Sequence, residues 1–568
     1  MMSIHSQTTR RSLLKPVAAA AVYCGLLAAS GGTLRAGDWP QWRGPNRDGI
    51  VQQSPQLAEA WPKGGPPTLW QSDPLPGGDA AGFGSPVVAG GKVYVFAAGY
   101  PDVPVPTRVL AERELRRLGW FPERPPEELV AKIEQARVRE DRAALRGLAL
   151  SEWIGKWIED NLNEEQRKRF KEFADDRLRR GADAFGLADL DRLAEIKDKT
   201  FDTQESFDKW LAQSGLSEKV KQEVVRRVPT TEKRGQDIIV CFSAADGKTV
   251  WKKEYPGHAY NLGTSGTPCV AGGRVYVVGS AGAFYCLDAE KGEEIWRAKV
   301  GGERIFHHDL GSVPSCSPIV MDGLVIAPIG PLVALDAATG SVKWTQAKVE
   351  GTHCSPVAWE KGGRKYVVCN TFKKVFCADA RTGEIAWEAP GGKRSTPVIQ
   401  GDTMLLFSDN PRVGLTAYRL SPDKAEPVWT IESFTDAAAS PLVHEGYVYA
   451  VGWRGALCVE LESGKEVWRG KPEETGGNLT SPILADGKVY ATAPVGDDRV
   501  SMMLKAGPAG CTVLAKANLG LLFGSSAAFF DGKLLVRTKQ AVRCFDLTGK
   551  GMPKPSTPSA ATSGGTPR

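Results

Sequence analysis

Histidine is scarce in this sequence: six in 568 residues, leaving His258, His307, His308, His353 and His444 once the N-terminal leader is set aside. No two of its eleven cysteines are adjacent, and neither a Cys-x-x-Cys-His nor a Cys-x-x-Cys pair occurs. That removes covalently attached haem and a zinc ribbon. No apolar run reaches the roughly 20 residues of a membrane-spanning helix; Val17 to Ala29 is short and rich in alanine. Charge of one sign is also missing. The net charge of +6 includes Arg10, Arg11, Lys15 and Arg35 of the leader, where no acidic residue stands, so removing those four leaves about +2. A nucleic-acid protein would show a basic stripe, and none is present.

What the sequence has in abundance is a repeat. From Ser265 to Trp296 it reads SGTPCVAGGRVYVVGSAGAFYCLDAEKGEEIW, three short strands and the start of a fourth. Gly272-Gly273 supplies the positive φ of a tight hairpin, with β-branched and aromatic residues on either side. Ser-Pro or Thr-Pro opens further units at Pro86, Pro268, Pro318, Pro356, Pro397, Pro441 and Pro482, and Ser525-Ser526-Ala527 is a degenerate eighth opening. Closing tryptophans keep step at Trp251, Trp296, Trp344, Trp387, Trp429 and Trp468. A period of roughly 40–50 residues with four strands per unit is that of propeller blades.

The closing pieces LDAEKGEEIW, LDAATGSVKW and ADARTGEIAW resemble the tryptophan-docking repeat of the pyrroloquinoline quinone (PQQ) propeller superfamily. That family takes in quinoprotein alcohol dehydrogenases and BamB, the propeller of the outer-membrane barrel-assembly machinery. The resemblance runs from Trp39 to Leu547 apart from one insertion, and implies an all-β, eight-bladed β-propeller of four-stranded blades. Pro67-Thr68-Leu69-Trp70 reads as an outermost strand with nothing before it, while the last unit, Ala527 to Leu547, has three strand-like runs and no closing Trp. The two fragments complete one blade and remove the open edge. Trp70 thereby joins the structural repeat.

The leader, residues 1–36, resembles a twin-arginine export signal through Arg10-Arg11, with cleavage expected after Ala36; a Sec signal with a chance arginine pair is the alternative. Tyr23 stands where a lipobox wants a small residue before Cys24, so no lipid anchor is expected. Trp39-Pro40-Gln41-Trp42-Arg43-Gly44-Pro45 resembles the opening of many secreted PQQ-like propeller proteins and reads as an irregular cover whose indoles lie against a blade. Residues 37–99 hold this segment, the closing strand and the start of blade one.

Residues 100–236 change character and become an α-helical insertion in blade one. Trp153, Ile154, Trp157 and Ile158 share a face after an expected Ser151 N-cap, Asn163 with Gln166 makes a capping-box pattern, and Ser217 starts a further helix. Its 28 acidic and 28 basic residues balance, and it reads either as a lid or docking module or as a family-specific decoration. Residues 237–548 complete blade one and supply blades two to eight, and the Pro-, Ser- and Gly-rich tail 549–568 is expected to be disordered.

Cys241, Cys286, Cys377, Cys458 and Cys544 occupy one repeat position, where blade three has Ala334, and are expected to be buried, reduced core residues. Cys316 and Cys354 differ: each directly precedes a Ser-Pro opening. His258, His307, His308 and His353 fall in linkers into innermost strands, and Asp309, Arg394 and Asp436 occupy comparable places. Imidazoles beside thiols are reasonable ligands for zinc, copper or iron. The candidate metal set is His307, His308, His353, Cys316 and Cys354, against the alternative of loop histidines hydrogen-bonded beside a polar channel. PQQ or a transition metal is thus a possible cofactor, neither with a full motif. The vicinal cysteine pair that quinoprotein alcohol dehydrogenases stack on the quinone is missing, and Asp309, Asn370, Asp436 and Asn478 match their acid and calcium ligands only loosely. The reading favours an exported, periplasmic or extracellular scaffold with a protein partner over an oxidoreductase using PQQ or a metal at the channel mouth.

Overall fold

The computed structural model describes residues 37–76, 82–105, 108–228, 231–258, 266–280, 282–300, 315–351, 353–392, 394–436, 438–452, 455–470, 480–495 and 498–550. The expectations for the leader, for the tail beyond Gly551, and for His307, His308, Asp309 and Asn478 lie outside these residues. The chain divides into two compact units, one holding the residues up to Pro101 and from Arg234 onward, the other Asp102–Lys233. Among the described residues no helix is long and apolar enough to cross a membrane.

The larger unit is built from eight four-stranded antiparallel sheets. Sheet one joins Val87–Ala89, Lys92–Gly99, Gln236–Ser243 and Thr249–Pro256; sheet two joins Cys269–Ala271, Arg274–Val278, Ala283–Asp288 and Glu294–Lys299. Sheets three to seven repeat the order, with first strands Ile319–Met321, Val357–Lys361, Val398–Gln400, Leu442–His444 and Ile483–Ala485. Sheet eight takes Ala528–Phe530, Lys533–Arg537 and Val542–Asp546 from the C-terminal end and its outer strand, Thr68–Gln71, from the N-terminal end. The hairpins follow from their turns: Gly272 and Gly273 sit at φ of 56° and 72°, the two successive positive values a two-residue turn demands.

Apolar cores lie between successive sheets. One joins sheets one and two through Phe96, Cys241, Val275 and Tyr285; another joins seven, eight and one through Met503, Phe529, Leu535 and Val95. The closing tryptophans bridge the same joints. Trp251 of sheet one donates its indole N–H to Ala289 O of sheet two at 3.1 Å, and a Cβ on Gly292 would fall 2.4 Å from the ring, so only glycine lets the indole down onto that turn. Trp70 of sheet eight docks in the same manner on sheet one, donating to Ala244 O at 3.0 Å above Gly247. Trp296, Trp344, Trp429 and Trp468 donate likewise to the following sheet. Among the described residues Trp387 has no acceptor for its indole N–H, and sheet five, which follows it, turns through Ser421-Pro422-Asp423.

Across the third and fourth strands the tryptophan faces one small residue. Cys241 pairs with Trp251, Cys286 with Trp296, Ala334 with Trp344, Cys377 with Trp387, Cys458 with Trp468 and Cys544 with Trp70. A wide indole opposite a small side chain fills the joint without overpacking. The described cysteines are all free, and the five at this position are buried.

The smaller unit is helical and has two apolar cores. Leu115, Leu190, Phe207, Val220 and Val224 form one; Ile133, Ile154, Ile158, Phe170 and Phe173 form the other. Asn163 and Gln166 make the expected reciprocal capping box before the helix Glu164–Arg180. Ser151 is not an N-cap: the helix Gly147–Asn161 begins a turn earlier, after Arg146, and the Ser151 hydroxyl bonds back to Gly147 O. Ser217 stands at the cap of Glu218–Arg227 but gives its hydroxyl to Asp189 at 2.7 Å.

Candidate functional site

Each Ser-Pro or Thr-Pro opening brings a hydroxyl to the start of a first strand, and these hydroxyls join in a circuit. The amide of Ser85 donates to Thr267 Oγ1 at 3.0 Å, that of Thr267 to Ser317 Oγ at 3.0 Å, and that of Ser317 to Ser355 Oγ at 3.0 Å. Ser355 continues to Thr396 at 3.2 Å, Ser440 to Ser481 at 3.1 Å, Ser481 to Ser526 at 3.0 Å, and Ser526 back to Ser85 at 2.9 Å. At the one remaining joint the direction reverses, and Ser440 Oγ donates to Thr396 O at 2.9 Å. Proline directly after the hydroxyl residue carries no amide, while its carbonyl still needs a donor.

Two arginines of the N-terminal segment supply such donors. The Arg47 guanidinium donates to Ser317 O at 3.2 Å, to Pro356 O at 2.9 Å and to Pro318 O, with its Nε on Gln41 Oε1 at 2.8 Å. Arg43 donates to Ser440 O at 2.9 Å, Pro441 O at 2.7 Å and Asp48 O at 2.6 Å. Both side chains are buried, and burial pulls each guanidinium down to about 10, still charged at neutral pH. A rigid fork of donors suits a wall of carbonyls as a compact ammonium would not. Arg43 and Arg47 also hold left-handed backbone, φ 63° and 57°, a conformation that surrounding contacts must enforce in a residue with a side chain. Read as a cover, this segment hides the role of the two arginines; the signal available was two arginines four residues apart, each within two residues of a glycine.

Of the five proposed metal ligands, three lie among the described residues. His353 is half-buried with its ring edge on Phe372, centroids 6.2 Å apart. Cys316 is buried and donates to Pro328 O at 3.0 Å, its thiol pushed up to about 12 by burial. Burial raises the Cys354 thiol further. Among the described residues no group of three His, Cys, Asp or Glu side chains is placed to hold a metal ion.

The other singled-out residues serve local structure. The His258 amide donates to Ser280 Oγ at 2.8 Å. Asp436 accepts from the amides of Ala438 and Ala439 at 2.9 and 2.7 Å. Asn370 donates to Gly392 O and Ser395 O at 3.0 and 2.9 Å, tying down the linker into sheet five. Arg394, in that linker, is half-buried. His444 lies beside the Glu445 carboxylate at 3.7 Å, half-exposed.

One buried carboxylate was not anticipated. Asp237, second residue of the strand Gln236–Ser243, reaches from sheet one to sheet two and accepts from Ser280 N at 3.0 Å, Ser280 Oγ at 2.6 Å and Tyr285 Oη at 3.0 Å. A Cβ on Gly279 would lie 2.3 Å from its Oδ2, so glycine is what admits the carboxylate. Burial pushes Asp237 up to about 6, against the hydrogen bonds that pull it down.

A family model described as outer membrane protein assembly factor BamB matches residues 235–356, 330–433 and 428–504. BamB of Moranella endobia is 25% identical over 262 residues, which is 44% of this chain and 56% of that protein. The tetrathionate hydrolase of Acidithiobacillus ferrooxidans is 22% identical over 297 residues, 46% of this chain and 56% of that protein. The chain thus spans little more than half the length of these curated relatives. The crystal structure of BamB from Moraxella catarrhalis is similar with a TM-score of 0.41 at 15% identity, covering 54% of this chain and 88% of that one.

Proposed function

We propose, from the match of residues 235–504 to the BamB family model and the likeness to BamB proteins, that the chain is a BamB-like PQQ-repeat protein: an exported eight-bladed propeller, with the helical unit inserted in blade one, acting as a protein-binding scaffold of the cell envelope. The observation that carries this reading is where the repeat puts its polar and aromatic side chains. The eight opening hydroxyls bond sheet to sheet, six of the seven closing indoles bond the following sheet, and the carbonyls beside the circuit are taken by Arg43 and Arg47. Repeat chemistry committed to holding sheets together leaves recognition to the surface and loops, which is how scaffolds on this kind of architecture work.

The surface offers places to test this. Leu69, Val250, Ile295 and Val428 stand one residue before docking tryptophans, on outer strands, and are 41–48% exposed. Photo-cross-linking residues placed at these four positions and in the loops, expressed in the native host, are expected to give a discrete adduct with one envelope protein. Absence of any adduct, together with a stoichiometric quinone or metal in the isolated protein, would instead support the oxidoreductase reading, with His307, His308, His353, Cys316 and Cys354 as its candidate ligands.

A further inference from the structure

The N-terminal segment makes contacts that a cover does not need. Trp39 exchanges two backbone hydrogen bonds with Val88 of sheet one at 2.8 Å, and Pro40 O accepts from Val270 N of sheet two at 2.8 Å. Arg47 holds carbonyls of the openings of sheets three and four, and Arg43 those of sheet six. Gly49 and Val51 bond Leu484 of sheet seven, each at 2.9 Å, and Ala58 N donates to Leu547 O, just past sheet eight, at 2.8 Å. About twenty consecutive residues therefore touch seven of the eight sheets, and the two side chains at the centre of the run are cations held mainly by main-chain carbonyls, with no carboxylate side chain among the described residues accepting from either guanidinium.

We propose that the carbonyls of Ser317, Pro318, Pro356, Ser440 and Pro441 form a guanidinium receptor, and that residues 37–63 are its built-in ligand, a separable strap that locks the circuit of sheets. The receptor follows from the repeat itself. Proline leaves its opening one amide short, and at three openings the carbonyls of Ser317, Pro318, Pro356, Ser440 and Pro441 take their donors from the two guanidiniums. A cation that can donate several hydrogen bonds in a plane fills this receptor; a quinone or a carboxylate, which bring acceptors of their own, does not. Tethering makes docking intramolecular, so the strap stays in place although its two arginines carry left-handed backbone.

The strap can be separated without removing it. Lys63 and Gly64 are exposed, and a Cβ on Gly64 would meet nothing within 4 Å, so a protease-recognition sequence inserted between them is accommodated. The full chain carrying this insertion is purified and then cut. The expected result is that fragment 37–63 remains bound through gel filtration, and that a fluorescent peptide of the same sequence exchanges into the nicked protein. The same peptide with Arg43→Lys and Arg47→Lys keeps both charges but loses the forks, and is expected to bind about tenfold more weakly or worse. Equal binding of the lysine peptide would overturn the guanidinium receptor. Loss of the fragment on cutting, with no change in melting temperature, would overturn the strap. An insertion variant that does not fold is replaced by full-length Arg43→Lys/Arg47→Lys, whose melting temperature is expected to fall and to recover in part with added guanidinium ion at millimolar concentration; no fall, or no recovery, counts against the proposal.

Discussion

The amide of Ser526 donates to the hydroxyl of Ser85 at 2.9 Å, across 441 residues of chain. The same joint is crossed a second time, farther out, where Trp70 pairs with Cys544 in sheet eight and docks its indole on Ala244 of sheet one. Sheet eight is therefore completed from the other end of the chain, and no single sheet in this unit can be the last to lose its neighbours.

Trp70→Ala tests that joint. The indole is half-buried against the core shared by sheets seven, eight and one, and its loss removes packing and leaves Ala244 O without its donor. A loss of about 2–4 kcal/mol is expected from denaturant melting, and deletion through Ser72 should bring aggregation or a far larger fall in melting temperature. A truncated chain that melts like the parent would contradict closure by this strand.

The cysteines at the tryptophan-facing position should be inert. Burial pushes Cys241, Cys286 and Cys544 up to about 12 and Cys458 to about 11, and raises Cys377 as well, so none is a thiolate near neutral pH. Thiol labelling of the native protein is expected to miss all five and to reach Cys511 first, the one described cysteine that is only partly buried. A disulfide found by mass spectrometry at any of the five would show that the position does more than pack.

Much of this was legible beforehand for a physical reason. Period-two alternation, paired glycines and a tryptophan at fixed spacing are local signals, and each of them lies within one four-stranded unit, so the sheets could be read from the sequence. Arg43, Arg47 and Asp237 were not legible, because the partners that tie them to the sheets are carbonyls and hydroxyls 43 to 398 residues away, while only Asp48 O and Gln41 Oε1 are local. A buried cation held by main-chain carbonyls needs no carboxylate partner whose spacing would betray it. Ser151 misled for the opposite reason: it is a good capping residue, but Gly147 with its positive φ starts the helix a turn earlier.

Asp237 should give the protein an acid-side signature. Its folded pKa, about 6, is raised above the ordinary value of about 3.9. The protonated form is thus favoured by folding, and its contribution is fully present below pH 4 and lost as pH rises through 6. Compared with Asp237→Asn, the parent should lose about 2–3 kcal/mol of stability between pH 4 and 7 that the variant does not. Parallel stability profiles for the two proteins over that range would mean that Ser280 and Tyr285 hold the carboxylate as well charged as neutral.

The claim that this chain works by binding protein rather than by carrying a catalytic cofactor is tested most directly by native mass spectrometry of the protein isolated from its own compartment. The account predicts the mass of the processed polypeptide with no quinone or metal attached, alone or in a defined complex with another protein. A stoichiometric mass increment of a small cofactor, lost on unfolding and accompanied by quinone absorbance or metal content, would contradict it.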